Sequence, residues 1–361
     1  MSALALELTL LGLLVLTAAL TAVIRDVLAA TVVFAVYSLV LSLVWILLRA
    51  PDVALTEAAV GAGVVTVLLV ATIAKTSRPT DHAELSVRWP SLAVIGVFAV
   101  GIVTTLPSLP AIGDPTAPIH QHLGTYYLET APAETGVSNI VTAILAAYRA
   151  FDTFGEVVVV FGAGIGLLVV LRQSGITLQP TTGSTPSTTD PGLEPSTTDP
   201  HGESSTTDLG REPSVITTTA IRYIVPFVAL FGLYIAFHGA KTAGGGFQGG
   251  VVVAASVVLV AFGFGIESTR RWLNDTVLTA ITAGGVAAVV AIGLGAMALG
   301  GRFLEYTVYP IPKATTYGIE LVELGIGATV TGIVLVFFFA LVGNAETPPG
   351  ESSPTHTEES K

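Results

Sequence analysis

The chain has 361 residues, 52% of them hydrophobic and 11% charged, with a net charge of −11 and no cysteine. A soluble domain carries about a quarter charged residues. A mean hydropathy of +0.77, with several apolar runs of the roughly 18–20 residues that cross a hydrocarbon core of about 30 Å, excludes such a domain and makes this a polytopic membrane protein. The missing cysteines exclude disulfides, iron–sulfur ligation and thiol chemistry, so any redox chemistry would belong to a partner.

The opening MSALALELTLLGLL has no basic n-region and no small-residue cleavage site, and is read as a retained first span rather than a signal peptide. Apolar length then predicts helices near residues 3–23, 28–48, 53–74, 89–107, 154–172, 222–239, 250–266, 277–299 and 317–342. They are rich in Val, Ala, Leu and Gly with no period-2 alternation, so they read as helices rather than barrel strands. The fold class is all-α: a membrane bundle of about nine transmembrane helices in two blocks, five then four. Between the blocks, residues 173–214 carry PSTTD at 186–190 and 195–199 and SSTTD at 204–208, a nine-residue period. Such a segment has almost nothing to bury and reads as a disordered tether. The divisions that follow are 1–75 with three helices, 76–172 with two helices and an outer loop, the linker 173–214, a four-helix domain at 215–343 and an acidic tail at 344–361.

Lys and Arg in the connections set the orientation. With the N-terminus outside, the inner connections hold ten (Arg25, Lys75, Arg78, Arg88, Arg172, Arg211, Arg222, Arg270, Arg271 and Lys361). The outer ones hold five: Arg49, Arg149, Lys241, Arg302 and Lys313. The expectation is N-out and C-in.

Ionisable groups within spans are costly and usually face a bundle interior or a watery path. Glu57, in PDVALTEAAVGAGV, follows Pro51 and Asp52, which mark the helix start. It shares a stripe with Ala54, Ala58 and Gly61, and small faces are where membrane helices approach closely. Glu156 follows Asp152 by four residues, and Arg149 lies on the same stripe, placed to pair with Asp152. Glu320 and Glu323 stand at i, i+3 with Gly327 next on the stripe; two carboxylates that close tend to hold one proton between them. A salt-bridged or interfacial helix entrance is the competing reading for Asp152, Glu156 and Glu320, and an interfacial glutamate reaching to water is the competing reading for Glu57. Spans one, three, five and nine run the same way, so Glu7, Glu57, Glu156 and Glu323 fall in one leaflet. His238 and Lys241, at the end of span six, reach that leaflet too. Acids and bases at one depth are what a proton or cation path needs.

Residues 238–250 read HGAKTAGGGFQGG. Gly244, Gly245 and Gly246 allow backbone angles and close approach that side chains forbid. Two readings stand side by side: a discontinuous helix whose freed backbone groups face ions, and a plain hairpin between two spans.

FHGAKTAGGGFQGGVVVAAS resembles the signature of the B subunit of Mrp-type cation/proton antiporters, which often runs H-G-H-x-x-P-G-G-G-F-x-G-G. His238, Gly239, Gly244, Gly245, Gly246, Phe247, Gly249 and Gly250 match it, while Ala240 and Ala243 replace its second histidine and its proline. The resemblance covers about 218–343, VELGIG included. The first block is similar to other segments: DVLAATVVFAVYSLVLSLVWILLRAPDVALTEAAVGAGV to three helices near the end of the large A subunit of these antiporters, found also as a small subunit of membrane-bound hydrogenases. VTAILAAYRAFDTFGEVVVVFGAGIGLLVVL resembles the segment that follows it. Glu57, Asp152 and Glu156 fall on the polar positions of those motifs. The resemblance implies a transporter subunit rather than an enzyme, a cell-membrane hetero-oligomer with other Mrp-type subunits, and Na+ and H+ as the ions moved. It implies no cofactor, no metal centre and no nucleic-acid partner. The alternatives are the same module in a redox-driven complex, and a purely structural subunit.

Overall fold

The computed structural model describes residues 3–75, 89–111, 113–173 and 215–342. Among them nine helices are long and apolar enough to cross a membrane, and no strand occurs. The PSTTD repeats, the tail from 343 and the connection holding Arg78 and Arg88 lie outside the described residues.

Helices α1 (Ala3–Val23) and α2 (Val27–Leu47) pack as a pair. Asp26 starts α2 by accepting from the Ala29 N–H at 2.8 Å, which satisfies one of the orphan donors at a helix start. The third span is one rod in three pieces: α3 (Pro51–Glu57), a π-helical stretch (Ala58–Val65) and α4 (Thr66–Lys75). Helix α5 (Trp89–Thr105) leaves every side chain exposed in the isolated chain. The connection after it folds into short α6 (Pro118–Gln121), α7 (Leu123–Thr135) and α8 (Ile140–Ala143), then a second π-helical turn (Ile144–Tyr148) that leads into α9 (Ala150–Gln173). After the linker come α10 (Val215–His238), α11 (Gly246–Phe264), short α12 (Ile266–Trp272), α13 (Asp275–Ala298) and α14 (Ala314–Val342).

Three spans start four or more residues earlier than apolar length predicts, and in each polar atoms at the entrance find partners. Helix α9 begins at Ala150 rather than 154, where Arg149 pairs with Asp152 at 2.5 Å. Helix α10 begins at Val215 rather than 222, its threonine-rich first turns anchored by the Thr218 hydroxyl, which donates to the Gly263 carbonyl at 3.0 Å. Helix α11 begins at Gly246 rather than 250, inside the glycine run, because the Gly246 N–H donates to the Glu323 carboxylate.

Lipid tails are as apolar as Leu, so helices associate through close packing rather than through a hydrophobic drive. Helix α14 is the axis of that packing: it touches α4, α9, α11 and α13, and Ile319, Val322, Leu335 and Phe338 are nearly or fully buried along it. The contacts run through small residues. Gly246 and Gly250, one turn apart on α11, press on the α14 backbone; a Cβ at Gly250 would stand 2.5 Å from the Gly327 carbonyl oxygen. Gly285 of α13 meets the Gly325 carbonyl of α14 from another side, and Gly164 of α9 seats against Ile333.

The blocks before and after the linker form one packed body through these α9, α4 and α14 contacts and through the connection at 131–148. Tyr306 is 3% exposed and its phenol O–H donates to the Ala146 carbonyl at 2.8 Å. Burial pushes the phenol above its ordinary range, and the Glu323 charge adds to that, so it stays a donor. Tyr306→Phe leaves the Ala146 carbonyl unpaired, a loss of about 1–3 kcal/mol. Its detergent-solubilised melting temperature is therefore expected to fall below the parent's; equal melting would show that this bond adds nothing to stability.

Candidate functional site

A cavity of about 580 Å³ opens between α3, α8, α9, α11 and α14, lined by Asp52, Thr56, Glu156, Gly244, Gln248 and Glu323 with apolar neighbours including Phe247. Its three carboxylates come from three spans. Asp52 is in the first turn of α3, Glu156 in the second turn of α9, and Glu323 in the third turn of α14. They meet because these spans run the same way and each carries its acid near the same end.

The wall between these acids is the glycine turn that joins α10 to α11. Gly244 has φ 126°, a left-handed conformation that side chains resist. Its N–H donates to Asp52 Oδ1 at 2.9 Å. Asn139 Nδ2 donates to the same oxygen at 3.1 Å, and to the carbonyls of Gly239 at 3.0 Å and Thr242 at 2.9 Å. The Asn139 side-chain oxygen meanwhile caps α8, accepting from the Val141 N–H at 3.0 Å. The Thr142 hydroxyl donates to the Gly239 carbonyl at 2.8 Å, and the Gln248 amide to the Thr56 hydroxyl at 2.9 Å. Irregular backbone near a bilayer must be buried in protein or line water. Here the first block supplies the partners that bury it. The glycine run is a turn between two spans with α11 starting inside it, held from within the protein rather than projecting as a free hairpin.

Asp52 is 7% exposed, and as a carboxylate it accepts from both Gly244 and Asn139. Asp52→Ala removes the acceptor of both donors, at about 1–3 kcal/mol for each one left unpaired. Asp52→Asn keeps an acceptor oxygen. The alanine variant is expected to melt well below the parent and the asparagine variant between the two; an alanine variant that melts with the parent would show that the clasp does not hold the blocks together.

The other residues that the sequence singles out fall elsewhere, and each for a visible reason. Glu57 is half-buried and faces α2; a point beside Gly61 lies within 2.6 Å of its carboxylate and 2.5 Å of the Ser38 hydroxyl. It ends α3 just before the π-helical stretch, where the Thr66 hydroxyl donates to the Gly61 carbonyl five residues back at 3.1 Å; such insertions recur at functional positions. Asp152 is exposed and tied to Arg149. Glu320 lines a second cavity of about 260 Å³ with Ala236, Phe237 and Tyr317. The i, i+3 spacing leaves about 60° between Glu320 and Glu323, which sends the two carboxylates into different cavities. His238 is exposed and stacked on Tyr234 with ring centroids 4.3 Å apart, and Lys241 is exposed on the turn; neither lines the acid cavity. Gly249 packs against Gly232 and Ala236 of α10, as Gly250 does against α14. Among the described residues no cluster of His, Asp or Glu is placed to hold a metal ion.

Asn139, Thr142 and Gln248 are absent from the residues that the sequence points to, and Asp52 figures there only as a helix-start residue. A signal for Asp52 and Thr56 is present, since they are four apart and share one face of α3. For the others there is none: Asn139 stands 87 residues from Asp52 along the chain, and only the fold joins them.

Comparison with known proteins matches each part of the chain separately. A domain related to the MnhB subunit of Na+/H+ antiporters matches residues 216–336. The MbhD family, the D subunit of MBH, matches 12–78, and the MbhE family, the E subunit of MBH, matches 92–186. A probable K(+)/H(+) antiporter A/B subunit of Rhizobium meliloti is 24% identical over 239 residues, 65% of this chain and 23% of that protein. The Na(+)/H(+) antiporter B subunit of Bacillus subtilis is 28% identical over 127 residues, 34% of this chain and 88% of that protein. The solved Mrp complex of Dietzia sp. DQ12-45-1b has a chain with the same fold, at a TM-score of 0.72 and 23% identity over 94% of this chain and 35% of that one. The chain thus spans about a quarter of the length of the Rhizobium protein and about a third of the Dietzia chain.

Proposed function

We propose that this chain, in which MbhD-type and MbhE-type segments precede an MnhB-type domain, is a membrane component of a multi-subunit monovalent cation/proton antiporter, with sodium as the cation. It works in a hetero-oligomer with other Mrp-type subunits, with its N-terminus outside and C-terminus in the cytoplasm. The chain contributes part of an intramembrane ion or proton path.

The observation that carries this reading is the cavity at the glycine turn, where acids from three spans converge. A carboxylate away from water is neutralised by a proton or by a bound cation, and crowded acids strengthen the demand for one or the other. A site that takes one occupant at a time couples the two fluxes. Asp52 is already engaged by Gly244 and Asn139, and Glu323 by Gly246. Glu156 completes the set and is exposed in the isolated chain, which suits the member that hands ions on to a neighbouring protein of the assembly.

The test is ion flux in vesicles containing the assembled complex. Under an imposed pH gradient, adding Na+ should collapse the gradient, with K+ as the comparison cation; a gradient untouched by either would overturn the reading. A second reading is favoured by the MbhD and MbhE matches, which together cover most of the first block. In it the module sits in a redox-driven complex, and ion movement would appear only with an electron donor and iron–sulfur partners in the purified assembly.

A further inference from the structure

The cavity that Glu320 lines stands apart from the one that holds Asp52, Glu156 and Glu323. It lies between the last turn of α10 and the first turns of α14, with a volume of about 260 Å³. That is the liquid volume of about nine water molecules. Ala236, Phe237, Tyr317, Leu321 and Leu324 make its wall, and Glu320 is its one charged group. Glu320 is half-buried, and among the described residues its carboxylate takes part in no ion pair and no hydrogen bond. The cations at this end of the two helices, His238 and Lys241 after α10 and Lys313 before α14, do not pair with it.

Depth makes the missing partner matter. Helix α14 has 29 residues and is therefore about 43 Å long. Centred on a hydrocarbon core of about 30 Å, it overhangs by roughly 6–7 Å at each end. Glu320, its seventh residue, then sits about 9 Å along the helix, just inside the boundary between headgroups and hydrocarbon. A carboxylate at that level is costly without a counter-charge. The wall decides what kind of cation could supply one. Hard inorganic cations take a shell of oxygen ligands, and this wall offers one carboxylate among rings and alkyl groups. Aromatic rings and leucines instead suit a cation that carries its own apolar body. Phe237, Tyr317 and Leu321 are exposed in the isolated chain, so the mouth is open to a molecule arriving from the bilayer boundary.

We propose that the cavity between α10 and α14 binds an organic cation, a protonated primary amine on an apolar body, with Glu320 as its counter-charge. The ammonium group donates to the carboxylate, and the apolar body lies against Phe237, Tyr317, Leu321 and Leu324. Two sources share this chemistry: the headgroup of an aminolipid in the bilayer, and a free amphiphilic amine. The site has no part in the flux through the acid cavity, and it does not depend on the antiporter reading.

The test is photolabelling of the assembled complex in lipid nanodiscs of phosphatidylglycerol, with labelled residues mapped by mass spectrometry. The probe is 4-azidobenzylamine, and 4-azidobenzyl alcohol is its uncharged counterpart. The amine is expected to label the 236–237 and 317–324 segments at least tenfold more than the alcohol does. Labelling there should fall at least tenfold in Glu320→Gln. It should fall as far in Leu324→Trp, which fills the cavity and keeps the carboxylate, so the site stays testable should either variant fail to assemble. Nanodiscs containing phosphatidylethanolamine separate the two sources. Labelling suppressed in them assigns the site to an aminolipid headgroup, and labelling unchanged in them assigns it to a free amine. Equal labelling by amine and alcohol overturns the cation preference, and undiminished labelling in Glu320→Gln overturns its counter-charge. No labelling of either segment in the assembled complex overturns the site, because a neighbouring subunit then covers the mouth.

Discussion

Glu323→Gln is expected to abolish cation-driven proton movement, by a factor of about 10²–10⁴, in a complex that assembles normally. The separation of the two effects follows from geometry. The Glu323 carboxylate accepts from the Gly246 N–H at the start of α11, and a glutamine presents a carbonyl oxygen to the same donor, so the helix keeps its partner. The substitution removes the charge and the capacity to take up and release a proton. Glu323 is half-buried where α14 passes the cavity, with Asp52 and Glu156 lining the same space. The other two carboxylates of that cavity differ in setting: Asp52 is held by two donors, and Glu156, on α9, is exposed in the isolated chain. Glu320, one turn earlier on α14, serves as the internal control. It faces another cavity, so Glu320→Gln is expected to retain most of the flux. Equal loss in both variants would mean that the charge of the α14 entrance matters, and not the cavity; full flux in Glu323→Gln would remove this residue from the path. The measurement is dissipation of an imposed pH gradient on adding Na+, normalised to the amount of assembled complex.

How far the sequence reaches is clear from the same residues. Nine spans were legible because a hydrocarbon core demands some 20 apolar residues in a row, and that demand acts locally. Glu323 and Glu156 were legible as candidates because a charge inside such a run is costly wherever the run packs. Their meeting was partly legible, since alternating spans put their entrances in one leaflet. What stayed hidden was which side chains occupy the space between them. His238 shares that leaflet, yet the helical phase of α10 turns it outward onto Tyr234. Asp52 looked like a residue that merely starts a helix, and it does start α3. Its second task, holding the Gly244 N–H, depends on a turn 192 residues away. Start positions of α9, α10 and α11 were missed for a related reason: hydropathy sees lost apolar length but not the ion pair, hydroxyl bond or carboxylate that makes a polar entrance stable.

Gly246→Leu is expected to prevent the MnhB-type domain from closing, so that no assembled complex is recovered from the membrane. A Cβ at this position would overlap the Glu323 carbonyl oxygen, with its carbonyl carbon and Cα close behind. Those are backbone atoms of α14, which cannot turn aside as a side chain would. Overpacking inside a core usually costs about 1–3 kcal/mol because neighbours adjust; here the neighbour is a helix fixed on its other faces by α9 and α13. The α11 helix would have to move away bodily, and with it the Gly246 N–H that the Glu323 carboxylate accepts. Gly250, one turn on, would lose its seat on Gly327, and the Thr331 hydroxyl would lose the Gly250 carbonyl it reaches at 2.9 Å. Membrane helices that lack a hydrophobic drive toward each other depend on such contacts for association, so the loss spreads along the pair. Gly166, on α9, meets nothing within 4 Å; Gly166→Leu should therefore yield complex at the parental level. The readout is the amount of intact complex by size exclusion after mild solubilisation. Recovery of Gly246→Leu complex at the parental level would show that α11 and α14 are not pressed together at this crossing, and would undo the placement of Glu323 beside the glycine turn.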